Sequence, residues 1–189
     1  MRSIILASFL FGTLGSSDAF ADIGIPMIFI TFPWMLLAFV PVCILESTML
    51  NRQLKISERR SMKISLIANL VSTLVGIPLT WILLVLLQML TGGGGALGLE
   101  SIPKKLLAVT WQAAWLIPYE SHLRWMIPSA GLVLLVPFFF ASWLIEYQIV
   151  KKMIMEIVPR EVKRSVFWAN LLSYSILAFI VIIFLLRSL

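Results

Sequence analysis

Long apolar runs alternate with short basic stretches along this chain, and the apolar runs set its elements. Four of them approach or exceed the twenty or so residues that a helix needs to cross a bilayer. They cover roughly 26–45, 64–90, 127–147 and 166–186. Pro33 and Pro41 fall inside the first, where each removes a backbone donor and favours a kink. Gly76-Ile77-Pro78 predicts a bend in the middle of the second. The third carries Pro137 ahead of three phenylalanines, and Arg187 closes the fourth. Trp81 is expected to face lipid or to pack, not to serve a site.

The polar positions that punctuate these runs occur twice in the same order. Leu45-Glu46-Ser47 ends the first run, and Ala68-Asn69-Leu70-Val71-Ser72 stands early in the second. Ile145-Glu146-Tyr147 ends the third, and Ala169-Asn170-Leu171-Leu172-Ser173 stands early in the fourth. Asn and Ser three residues apart share a helical face. Each hairpin is therefore expected to hold a polar clamp at a comparable depth: Glu46, Asn69 and Ser72 in one, Glu146, Asn170 and Ser173 in the other. The predicted fold class is all-α integral membrane, with four transmembrane helices arranged as two tandem parallel hairpin repeats over 22–90 and 128–189. A pseudo-twofold axis along the membrane normal would relate them.

Two segments fall outside the spans. Residues 1–21 read as a signal peptide: Arg2, a short apolar stretch from Ile4 to Leu14, a polar break, then Ala19-Phe20-Ala21. Cleavage there would leave Asp22 as the mature N-terminus. Residues 91–127 open with Thr91 and a four-glycine run, read as a turn at the membrane surface. A phosphate loop is excluded, because no strand precedes the glycines and no Lys-Ser/Thr follows them. Leu107, Trp111 and Trp115 then recur every fourth residue behind Lys104-Lys105, as in a short helix lying in the interface. This segment is expected on the outer side.

Composition narrows the class. The 189 residues are 60% hydrophobic and 13% charged, with mean hydropathy +1.01. A soluble domain carries about a quarter charged residues, so lipid is the main solvent for this one. The net charge of +6 does not point to nucleic acid, because the charge is placed at the ends of spans. Arg52, Lys55, Arg59, Arg60 and Lys63 fall in the stretch 46–63, and Lys151, Lys152, Arg160, Lys163 and Arg164 in 148–165. Both stretches are expected to be cytoplasmic loops, with anionic lipid headgroups as partners. The mature termini are then both outside, in the periplasm.

Catalytic chemistry is hard to find. Cys43 is the only cysteine and His122 the only histidine. No cofactor is expected, and no metal, since a metal site wants more ligands than these. Glu120, His122 and Arg124 could form an outer-rim contact for a partner, but Ser121 beside His122 does not make a triad, which needs a third orienting residue in space. The Glu and Asn pairs could hold a cation or a proton, because ionisable groups within a membrane are rare and costly.

Several strings resemble a family of uncharacterised bacterial inner-membrane proteins. They are Ala68 through Pro78, the glycine run 92–95, Trp115-Leu116-Ile117-Pro118-Tyr119-Glu120, and Pro137 through Glu146. The resemblance covers most of the mature chain; it implies an inner-membrane location and no particular activity. The Glu-loop-Asn-x-x-Ser hairpin alone is similar to cyanobacterial filament-integrity proteins at septal junctions. That family lacks the second hairpin, so a septal role is not carried over. The functional expectation is a non-enzymatic inner-membrane accessory, scaffold or assembly subunit of a larger complex, meeting other membrane subunits or copies of itself. The alternative is a small oligomeric transporter or channel that uses the Glu/Asn pairs.

Overall fold

The computed structural model describes residues 25–92, 98–116 and 122–188. The signal segment, most of the glycine run and Glu120 lie outside the described residues. Helix α1 covers Met27–Leu54, α2 Glu58–Val71, α3 Ile77–Gly92, α4 Ile102–Thr110, α5 Leu123–Met153 and α6 Pro159–Ser188. A π-turn, Ser72–Gly76, joins α2 to α3 without a break. Among the described residues, four helices are long and apolar enough to cross a membrane: Pro33–Leu54, Glu58–Thr91, Leu123–Met153 and Pro159–Ser188. The chain is a multi-pass membrane protein. Two-residue strands, β1 at Ile25–Pro26 and β2 at Trp115–Leu116, pair antiparallel beyond the start of α1.

The helices form a closed ring of neighbours. The α1 helix packs on α2 and α5 on α6, while α1 also packs on α6 and α2 on α5. The first helix of each hairpin therefore faces the other's first helix across the centre. Two apolar clusters fill the bundle. One, at the basic end, joins Leu50, Leu54, Ile64 and Ala68 to Val150, Ile154, Val162 and Val166. The other joins Ala108, Val109 and Ala113 to Met126, Ala130, Leu134 and Phe138. A polar layer separates them: along α5 the buried order is Phe138, Glu146, Val150, and along α6 it is Val166, Asn170, then Tyr174 against the second cluster.

The expected loops are shorter than their polarity suggests. Of 46–63 only 55–57 are non-helical, and of 148–165 only 154–158. No Gly or Pro interrupts 46–54, and Leu50 and Leu54 extend the buried stripe at helical spacing. Arg52, Lys151 and Lys152 sit in last turns, where cations complement the helix dipole. Termination follows at Lys55, whose φ of 53° is the left-handed conformation of a helix C-terminus. Asn51 Nδ2 closes that corner by donating to the Ile56 carbonyl at 2.6 Å. Pro159 opens α6, where its missing N–H has no partner to lose.

The bend expected at Gly76-Ile77-Pro78 is the π-turn. Pro78 has no N–H for the carbonyl of Leu74, so a widened turn accumulates just upstream. Segment 98–116 also departs from expectation. The helix ends at Thr110, so Trp111 caps it and Trp115 lies in β2 rather than on a shared helical stripe. Leu107 and Trp111 are exposed, and the face packed on the bundle is Ala108, Val109 and Ala113. Trp81 meets this segment, its Nε1 donating to the Ala114 carbonyl at 3.0 Å.

An ion pair bridges the two hairpins at the basic end, Arg60 to Glu156, with Arg60 also donating to the Met153 carbonyl at 3.2 Å. The hydrogen bond from Arg60 holds the Glu156 carboxyl below the usual carboxylate range. Its contribution to stability is thus present at neutral pH and lost as the pH falls through that lowered range. Both side chains are exposed, and exposed pairs contribute little. Arg60→Ala is expected to leave the melting temperature unchanged within error between pH 5 and 8, as circular dichroism in detergent would read.

Candidate functional site

The six clamp residues meet in a single layer. Glu46, on α1, lies two turns short of the helix end, about 12 Å at 1.5 Å per residue. Glu146, on α5, lies about 10 Å from the end of its own helix. Their positions are interior to the helices, not at the ends of the spans. Relative exposure is 2% for Glu46, 3% for Glu146, 6% for Asn69, 0% for Asn170, 2% for Ser72 and 1% for Ser173. All six are removed from solvent by neighbouring helices.

The bonding pattern crosses between hairpins. Asn69 Nδ2 donates to Glu46 Oε2 at 2.6 Å, and Asn170 Nδ2 donates to Glu146 Oε2 at 2.7 Å. These are pairs within one hairpin. The serines reach across: Ser173 Oγ meets Glu46 Oε1 at 2.7 Å, and Ser72 Oγ meets Glu146 Oε1 at 2.9 Å. Each carboxyl group is therefore held by an asparagine of its own hairpin and a serine of the other. The two carboxyl groups enter this one layer from α1 and α5.

The asparagines are anchored by their own helices. Asn69 Nδ2 also donates to the Ser65 carbonyl at 3.0 Å and lies 3.3 Å from Ser65 Oγ. Asn170 Nδ2 also donates to the Val166 carbonyl at 3.1 Å. Both serines lie close to the carbonyl of the residue three positions back, Ser72 to Asn69 O at 3.1 Å and Ser173 to Asn170 O at 3.0 Å. Asn170 Oδ1 is buried with no hydrogen-bond partner, as is Gln88 Oε1 on α3.

The clamp has a supporting shell that polarity alone does not single out. Ser47 and Ser61 share a hydrogen bond of 3.1 Å, and Ser65 Oγ donates to the Cys43 carbonyl at 3.0 Å. Ser61, Ser65, Asn69 and Ser72 recur every three or four residues, one polar stripe along α2 that lets α1 approach closely. That periodicity was the available signal. In the other hairpin the contacts are aromatic. Trp143, Phe139, Phe167 and Tyr174 stack edge to face, Lys163 sits 5.4 Å from the Trp143 ring, and Tyr174 shares a 2.8 Å hydrogen bond with Ser142.

The outer-rim residues do not converge in the same way. His122 and Arg124 are exposed at the start of α5, and Glu120 lies outside the described residues. No three His, Cys, Asp or Glu side chains come together as a metal site among the described residues. At the basic end a cleft of about 830 Å³ opens between α1 and α6, with Lys55, Arg164 and Trp168 at its wall beside Met49, Ile157 and Glu161. No protein-family model, curated protein or solved structure matches this chain.

Proposed function

We propose that this chain is a non-enzymatic inner-membrane accessory, scaffold or assembly subunit, made of two tandem parallel hairpins locked to each other at the clamp. The observation that carries this reading is the crossed bonding, in which Ser173 of the second hairpin holds Glu46 of the first and Ser72 returns the contact to Glu146. Matching buried positions support a pseudo-twofold relation: Leu50 with Val150, Leu54 with Ile154, Ala68 with Ala169, Asn69 with Asn170. Polar bonds of this kind fix register between helices more than they add stability. A fixed register gives a defined outer surface, and that surface is rich in exposed Leu, Ile, Phe and Trp available to lipid or to other membrane helices.

On this reading the basic ends are cytoplasmic, the 91–127 segment lies at the outer interface, and residues 1–21 are a signal peptide. The placement of Lys and Arg at the ends of the spans supports that orientation. The Lys and Arg residues at this end suit anionic lipid headgroups. Purification in mild detergent at native expression is expected to bring specific membrane proteins along. A monodisperse chain without companions in several detergents would contradict the assembly role.

A second reading, a small oligomeric transporter or channel, is favoured by one observation. Two carboxyl groups share the bundle centre, and no Lys, Arg or His among the described residues neutralises them. It predicts that Glu46→Gln with Glu146→Gln abolishes flux in proteoliposomes while the fold persists. Absence of flux in the wild type would leave this reading without support.

A further inference from the structure

Each clamp serine faces two acceptors with one hydrogen. Ser173 Oγ lies 2.7 Å from Glu46 Oε1 and 3.0 Å from the Asn170 carbonyl oxygen, and Ser72 Oγ lies 2.9 Å from Glu146 Oε1 and 3.1 Å from the Asn69 carbonyl oxygen. A hydroxyl owns one hydrogen, and a carbonyl only accepts. When the serine hydrogen points at the carbonyl, the serine–glutamate contact is a hydrogen bond only if the carboxyl group supplies the second hydrogen. Both serines stand in this arrangement.

Asn170 adds an independent surplus. It is wholly buried, its Nδ2 is spent on Glu146 Oε2 and the Val166 carbonyl, and its Oδ1 has no donor. The layer thus keeps an unserved acceptor beside the Glu146 carboxyl group. Among the described residues, the other titratable groups that interact with both carboxyls are Cys43 on α1 and Tyr174 on α6, each ordinarily neutral near pH 7. The hydrogen-bonding neighbours on α2 and α6 are Asn and Ser, which carry no charge. Two adjacent negative charges would thus lack any countercharge in a water-poor layer.

We infer that the Glu46–Glu146 pair is a proton-binding site. Each protonated carboxyl donates to the serine of the opposite hairpin, Glu46 to Ser173 and Glu146 to Ser72, and each serine passes its hydrogen to the backbone carbonyl behind it. Uptake from hydronium forms one O–H bond on a glutamate oxygen, breaks one in hydronium and leaves water; no electrons move. An alkali cation fits less well, because it needs several free oxygens and every carboxylate oxygen here already meets a side-chain partner. The site does not depend on the assembly role and would exist in a chain without partners.

Infrared titration of the full chain in lipid nanodiscs tests it, in H2O and in D2O. The protonated-carboxyl stretch is expected to persist at neutral pH and to shift down on deuteration. It should fall to about half in E46Q and in E146Q and vanish in the double variant. A wild-type chain that lacks the band at neutral pH overturns the inference, and this arm needs no variant to fold. So does a band that survives in the double variant, or one that disappears when sodium or potassium chloride replaces choline chloride, since a metal cation then holds the site.

Discussion

Glu146→Ala is expected to destabilise the bundle by roughly 2–4 kcal/mol. The change removes the acceptor for Asn170 Nδ2 and the partner of Ser72 Oγ, in a layer where Glu146 is 3% exposed. A buried polar group left without a partner costs about 1–3 kcal/mol, and the vacated side-chain volume adds to this. Asn170 keeps its bond to the Val166 carbonyl and Ser72 its contact with Asn69, which holds the total down. Glu146→Gln preserves shape and most contacts and is expected to cost under about 1 kcal/mol. Unfolding in mixed micelles, followed by tryptophan fluorescence, separates the two. Equal stability of the alanine and wild-type chains would mean that the clamp is not formed.

The second large effect is expected at Gly76, in the π-turn. A Cβ there would stand 3.1 Å from Ile145 Cδ1 and 3.9 Å from Ala141 Cβ. The nearer atom is the tip of a flexible side chain, so Gly76→Ala is tolerated with a small shift. Gly76→Leu drives a branched side chain into the contact between the π-turn and α5 and is expected to cost about 1–3 kcal/mol. It also pushes the turn that carries Ser72 away from Glu146, so the clamp loosens with the packing. Gly131→Ala is the control: its Cβ would meet Val181 Cγ1 at 3.8 Å, an ordinary contact, and the melting temperature should not move. A Gly76→Leu chain as stable as that control would show that the π-turn and α5 do not approach as described.

Much of this architecture is legible in the chain. Four apolar runs of spanning length announce four helices, because lipid demands that backbone bonds close within each segment. The paired Glu, Asn and Ser stand out because polar residues in such runs are few. Helix ends are less legible. Polarity at 46–54 suggests a loop, yet Leu50 and Leu54 continue the buried stripe and nothing there breaks a helix. In 98–116 the four-residue recurrence of Leu107, Trp111 and Trp115 resembles a helical stripe, but small residues, Ala108 and Ala113, do the packing.

The partner choice within the clamp is not legible at all. A spacing of three puts Asn69 and Ser72 on one face, and this is consistent with both facing Glu46. Only the ring arrangement of helices, with α2 against both α1 and α5, turns Ser72 to the other hairpin's glutamate. Tertiary neighbours decide this, and no local pattern encodes them.

The crossed pairing is the central claim, and double-mutant cycles on unfolding free energy test it most directly. Glu46→Gln with Ser173→Ala, and Glu146→Gln with Ser72→Ala, are expected to show coupling of about 0.6 kcal/mol or more. The uncrossed cycles, Glu46 with Ser72 and Glu146 with Ser173, are expected to be smaller. Larger coupling in the uncrossed cycles would contradict the account, because each hairpin would then close its clamp on itself.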